Sequence, residues 1–231
     1  MIATGRFVFL HLHKSGGTFV NECLLRFIPD ARQLGYHLPR HMIPPESAAL
    51  PVLGLVRNPW SYYVSWFSFQ AARNQPNALY RILSDEGRLN FRDTVSNMLQ
   101  LGSSPIHLDR LVKALPASYG NRGINLPGFA LSQIRGTGCG FYSYLYRYMF
   151  GSDDASLVIG QMETLRRDLP RMLESVGQTV SDPLREFIES APRRNTANHA
   201  HYADMYDDEL REMVAERDAP LIARHGFRFG D

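Results

Sequence analysis

Residues 6–18 read RFVFLHLHKSGGT. Phe7 to Leu12 form a short apolar run rich in β-formers, as in a strand buried on both faces. Lys14-Ser15-Gly16-Gly17 ends that run. Thr18 then opens TFVNECLLRF, in which Phe19, Cys23, Leu24 and Phe27 fall on one helical face. The result is a strand, a glycine-rich loop and a helix in close succession. A glycine pair lets backbone N–H groups converge on an anion, because no Cβ blocks the approach. The helix N-terminus that follows adds partial positive charge, Lys14 a compact cation and Thr18 a hydroxyl. Such a loop suits a phosphate. The same residues also suit a tight strand-to-helix turn with a solvent-facing lysine.

The pattern repeats. Pro51–Val56, PVLGLV, reads as a second buried strand, Arg57-Asn58-Pro59 as a turn, and WSYYVSWFSFQAAR as a helix with Pro59 in its first turn. A third strand is expected at Ser156–Gly160, SLVIG. A helix should follow through ETLRRDLPRMLESVG, with Gly177 at its end and Pro170 threatening its continuity. A last helix is expected from about Asp207 to His225, kinked or interrupted at Pro220 and ended by Gly226. Repeated strand–loop–helix units imply an α/β fold with a parallel sheet covered by helices. Residues 74–150 hold many glycines and several prolines and read as an irregular or helical insertion within a single 1–231 domain. In Phe141–Phe150, FYSYLYRYMF, apolar residues fit both a period of two and a period of 3.6, so strand and helix both stand.

The chain has 231 residues, 44% hydrophobic and 21% charged, which suits a globular domain and excludes disordered and fibrous classes. No apolar stretch is long enough for a membrane span, and the N-terminal run carries no cleavage signal. A net charge of +2 argues against nucleic acid as a partner. Two cysteines, Cys23 and Cys139, make neither a disulfide framework nor a thiolate zinc site, so a reducing, cytoplasmic setting is expected. Of the 25 basic residues only Lys14 and Lys113 are lysines, and one of them stands in the glycine-rich loop.

A Walker A loop places its lysine after the glycines; here it precedes them. Together the two loops resemble those of sulfotransferases that use 3′-phosphoadenosine 5′-phosphosulfate (PAPS). FLHLHKSGGT is similar to that family's 5′-phosphosulfate loop, often H-x-P-K-x-G-G-T. LGLVRNPWSYYVSWF is similar to its 3′-phosphate element, V-R-N-P followed by a serine. The pattern most resembles the carbohydrate branch. Weaker similarity runs through VIGQMETLRRDLPRMLESVG and the C-terminal segment, while 74–150 carries almost none. The resemblance implies a P-loop-kinase-like α/β fold. It implies that Lys14 meets the 5′-phosphate and the oxygen bridging to sulfur, that Ser15, Gly16, Gly17 and Thr18 cradle the 5′-phosphate, and that Arg57 and Ser65 bind the 3′-phosphate. Arg193, Arg194 or Asn195 would close over the nucleotide. The sequence departs from the pattern at His13, where proline is usual.

Sulfuryl transfer needs in-line positioning, a cation at the leaving oxygen and a base for the acceptor hydroxyl. No metal is expected to be needed, because no D-x-D motif or carboxylate pair stands in the loops. Histidine is the natural base. His37, in GYHLPRHM, ranks first because a histidine in a similar stretch lies near the acceptor in the resembling enzymes. His41 ranks second, and a carboxylate such as Glu46 could serve instead. His11 is expected to be structural, and His199 and His201 solvated or part of a closing loop. Aromatics at 142–150 suit either core or an acceptor wall, Trp60 core, and Arg166-Arg167 a solvated helix face. The acceptor is expected to be a carbohydrate or a hydroxylated small metabolite, with the product 3′,5′-bisphosphate (PAP) left behind. The alternatives are a nucleotide kinase-like phosphotransferase, which would want a Walker A lysine and an acidic magnesium ligand, and a nucleotide-binding protein without turnover.

Overall fold

A computed structural model describes residues 1–119, 126–151, 154–192 and 201–231. In chain order its strands are β1 (Ile2–Ala3), β2 (Val8–Leu10), β3 (Arg32–Gln33), β4 (Val52–Val56) and β5 (Leu157–Gln161). The helices are α1 (Gly17–Phe27), α2 (Pro59–Ala71), α3 (Ala78–Leu83), α4 (Phe91–Leu99), α5 (Pro105–Ala114), α6 (Gly128–Ser132), α7 (Phe141–Phe150), α8 (Leu165–Ser175), α9 (Asp182–Ser190), α10 (Asp208–Arg217) and α11 (Ala219–His225). The described residues fall into two compact units. One holds 1–57, 146–151 and 154–192; the other holds 58–119, 126–145 and 201–231.

The first unit contains the sheet, in the order β3-β1-β2-β4-β5. β2, β4 and β5 run parallel, with Leu10 beside Gly54 and Val56 beside Gln161. These strands are the three expected ones, β2 and β4 trimmed at their ends and β5 shifted by one residue. Every residue of β2 and β4 is buried, which is why their sequences are continuous apolar runs rather than alternating ones. Two short strands extend the sheet on the other side. β1 pairs antiparallel with β2, and β3 antiparallel with β1, so the sheet is mixed. Two residues per strand is too short for a periodic signal.

Phe7, Phe9, Leu53 and Leu55 meet Val20, Cys23 and Leu24 of α1, Leu169, Met172 and Leu173 of α8, and Leu184 and Ile188 of α9 in one apolar core. Gly54 leaves room on the other side of β4, where a Cβ would lie 2.2 Å from the Phe150 ring. Pro170 is accommodated inside α8 without a break. Arg166, expected to be solvated, is instead half-buried. Its guanidinium donates to the carbonyls of Ile188, Glu189 and Ala191, tying down the C-terminal end of α9.

The second unit is helical in its described part. The segment 141–150 is a helix, and burial explains the ambiguity of its sequence: Phe141, Tyr142, Tyr144 and Leu145 are all buried, so no polar stripe marks the period. The C-terminal helix is interrupted rather than kinked, one of the two outcomes expected near Pro220. α10 ends at Arg217 and α11 begins at Ala219, with Pro220 in the first turn of α11 and Gly226 ending it at φ 67°. The junction residue, Asp218, is buried.

Candidate phosphate-binding site

β2 and β4 are parallel neighbours, so the segments leaving their carboxyl ends emerge side by side. That edge is where open α/β sheets bind ligands. Residues 11–16 leave β2 and Arg57 leaves β4. The two are joined directly: Arg57 Nη1 donates to the Lys14 carbonyl at 3.2 Å.

The loop is wound by two left-handed residues, Lys14 at φ 59° and Gly16 at φ 81°. Glycine adopts that conformation freely; lysine does so at a cost of about 1–3 kcal/mol. Gly16 is also the N-cap of α1. Among the described residues no side chain caps this end, and the first turn of α1 carries no acid. An uncapped helix N-terminus presents its amides and its partial positive charge to whatever anion arrives. Gly17 is fixed by packing. A Cβ there would stand 2.1 Å from His11 Cδ2, so the imidazole of His11 is the floor on which the loop lies.

Lys14 is partly buried, and burial, then the neighbouring Arg57, pushes its amine down to about 8. It keeps its charge at neutral pH, and a bound anion would strengthen it. Ser15 is buried and turned inward, its Oγ donating to the His13 carbonyl at 3.2 Å. Its hydroxyl therefore shapes the loop. Thr18, in the first turn of α1, is exposed.

His37 lies against the same loop. Its Nδ1–H donates to the His11 carbonyl at 2.8 Å. Because a carbonyl can only accept, neutral His37 must carry its proton on Nδ1 and its lone pair on Nε2. Burial, mainly, brings its pKa down to about 4, and burial also lowers that of His11. The imidazole is thus neutral across the physiological range, in the tautomer that a base acting through Nε2 requires.

The structure brings together Lys14, Ser15, Gly16, Gly17, Thr18, Arg57 and His37. His41 is exposed on a short 3₁₀ turn, with its ring edge-on to Tyr148 at 5.6 Å. Glu46 is exposed as well. Ser65 belongs to the second unit, half-buried on α2. In that unit Trp60 is buried, and its Nε1 donates to the Arg211 carbonyl at 3.0 Å, as a core residue would. Arg193, Arg194, Asn195 and His199 lie outside the described residues. His201 precedes a 3₁₀ turn and accepts from its backbone. Sequence reasoning gave His11 only a general structural role, which the structure makes specific as the floor of the loop, and left His13 without one. The signal for the first was Gly17 itself, a glycine that open space does not explain.

No family model and no curated protein matches the chain. Among solved structures it is similar to mouse sulfotransferase SULT7A1 complexed with PAP, at 13% identity over 94% of this chain and 86% of that one, with a TM-score of 0.50. The chain has the sulfotransferase fold. That fold is P-loop-kinase-like, and its parallel β2-β4-β5 core carries the two loops at its carboxyl edge. The likeness is one of fold, and the carbohydrate branch rests on the two loop sequences alone. No helix among the described residues is long and apolar enough to cross a membrane.

Proposed function

We propose that this protein is a sulfotransferase that moves the sulfuryl group of PAPS to a hydroxyl. The observation that carries this reading is the uncapped, left-handed loop at Lys14–Gly17, joined to Arg57 from the neighbouring parallel strand. The loop amides and the Thr18 hydroxyl hold the 5′-phosphate. Lys14 faces the oxygen between phosphorus and sulfur and meets the negative charge that grows there as the S–O bond breaks. Arg57 and Ser65 hold the 3′-phosphate. His37 accepts the acceptor's proton on Nε2, while its Nδ1–H stays bonded to the His11 carbonyl; His41 is the second choice for that task. The acceptor oxygen attacks sulfur in line, and the electron pair of the broken bond leaves with PAP. The acceptor is a carbohydrate or a hydroxylated small metabolite. The setting is the cytoplasm, which agrees with two free thiols, Cys23 and Cys139.

Thermal unfolding with PAP, with ADP plus magnesium as control, tests the reading. A ligand at about 100 times its Kd stabilises by about 2.7 kcal/mol, which raises the midpoint by roughly 5–10 °C in a chain of this size. PAP should give that shift and ADP–magnesium should not, and Arg57→Ala should shrink it. A shift with ADP–magnesium alone would point to a phosphotransferase. No shift with either ligand would make both loops structural.

A further inference from the structure

His13 stands where the resembling loops have proline, and the structure gives it a partner. It is buried, 2% exposed, and its ring lies face to face with that of His37, centroids 3.6 Å apart and planes 14° apart. His37 is also bounded by His11, at 4.5 Å and 55°, and by Tyr36, at 6.1 Å. Two constraints of different kinds therefore act on one imidazole. The stack on His13 sets the plane of the ring. The bond from Nδ1–H to the His11 carbonyl sets its rotation within that plane. A ring held in both ways has one direction for its Nε2 lone pair. His37 also sits on left-handed backbone, φ 51°, a conformation that needs support from its surroundings. Proline at position 13 would offer no aromatic face.

We propose that His13 is a positioning residue, which holds His37 by stacking and, with it, forms a pair that carries at most one proton. The orientation of His37 matters to catalysis only if His37 is the base, so that part rests on the function proposed above; the stack itself does not. The balance of charge is consistent with one proton or none. The His11 carbonyl favours the charged form of His37, whereas burial and the Met1 α-amino group oppose it. His11 beside it is a third imidazole held neutral by burial, the Tyr36 ring lies 6.1 Å away, and Lys14, next in the chain to His13, is a cation. A second proton on rings 3.6 Å apart would put like charges in contact in a poorly solvated place.

Nitrogen-15 NMR of the histidine rings in the full chain tests this without any ligand. In the wild type, His37 should show the Nδ1–H tautomer and remain neutral well below pH 6. His13→Ala removes the face: the proton affinity of His37 should rise at least tenfold, its tautomers should mix, and kcat for sulfuryl transfer should drop about tenfold while KM for PAPS holds. His13→Phe keeps a face without a second titrating group, so it should preserve the tautomer and the low proton affinity; it also guards against an alanine variant that folds poorly. An alanine variant that melts as the wild type does and titrates identically at His37 overturns the proposal, as does a phenylalanine variant that behaves like the alanine one. A wild type that shows the stacked pair by NMR but neither binds PAP nor transfers sulfuryl overturns the reading of the reaction and leaves the stack standing.

Discussion

Two helix N-termini in this protein face the same electrostatic demand and meet it in opposite ways. The N-terminus of α7, in the second unit, is met by a residue from far along the chain. Asp218 accepts from Ser143 N at 2.9 Å and from the Tyr63 hydroxyl at 2.7 Å, and that hydroxyl accepts from Tyr142 N at 3.2 Å. Gly140 allows the approach, since a Cβ there would stand 2.7 Å from Asp218 Oδ1. Burial raises the pKa of Asp218, with its two donors pulling the other way. α1, in the first unit, has no such partner among the described residues, and its flanking charge is a cation. One terminus is completed by the chain's own carboxylate. The other, among the described residues, has no side-chain cap and no acid in its first turn, and an uncapped N-terminus of this kind suits an anion from outside.

Lys14→Ala should have the largest effect. Removing the cation at the leaving oxygen should reduce kcat on the order of 10³-fold, about 4 kcal/mol in the barrier, while the unfolding midpoint stays within a degree or two. Near-full activity would show that this terminus is not the reactive one. Asp218→Ala should do the reverse, costing about 3 kcal/mol of stability, because the Tyr63 hydroxyl and Ser143 N–H lose a buried acceptor. Urea unfolding reads it, and a loss under 1 kcal/mol would mean that the two termini differ less than their geometry suggests.

Gly17→Ala sharpens the contrast by filling the space of the His11 ring. Overpacking of this kind costs about 2 kcal/mol, and the displaced loop should lose PAP binding in calorimetry. A variant that binds PAP as tightly as the wild type would show that the loop can move off its floor. The smallest effect should come from acid. A base must be neutral to act, and His37 is neutral above about pH 4, so kcat/KM should change less than twofold from pH 7 to 5. Stability should behave differently. Histidines whose pKa is depressed by folding stabilise fully above their unfolded value of about 6.5, and that stability is lost as pH falls toward 4. Melts and rates over the same range separate the two.

What could be read from the sequence was local. Val8–Leu10 and Val52–Val56 are buried on both faces, so their apolar runs announced parallel strands, and the residues after each strand announced the loops. The same rule failed for 141–150 because all of its residues but Arg147 and Tyr148 are buried, leaving no clear polar stripe. It also missed β1 and β3, whose two-residue length leaves no period to detect. At the site, Lys14, Gly16 and Gly17 were legible because one short segment holds the chemistry. The Asp218 cap and the His13–His37 stack were not, because each joins residues whose separation obeys the fold and no sequence rule. Arg166 shows the same limit at the surface: its charge reads as solvated, and only the arrival of α9's last carbonyls gives it a task.

The left-handed backbone at Lys14 has a kinetic meaning. A loop that had to be wound by its ligand would bind in two steps, encounter and then ordering, and the second would set the pace. Here a lysine rather than a glycine holds the first of the two left-handed turns. If the free loop is wound before a phosphate arrives, its amides are already aimed, and association should be a single phase governed by diffusion and ionic strength; a slow second phase would show that the ligand does the winding.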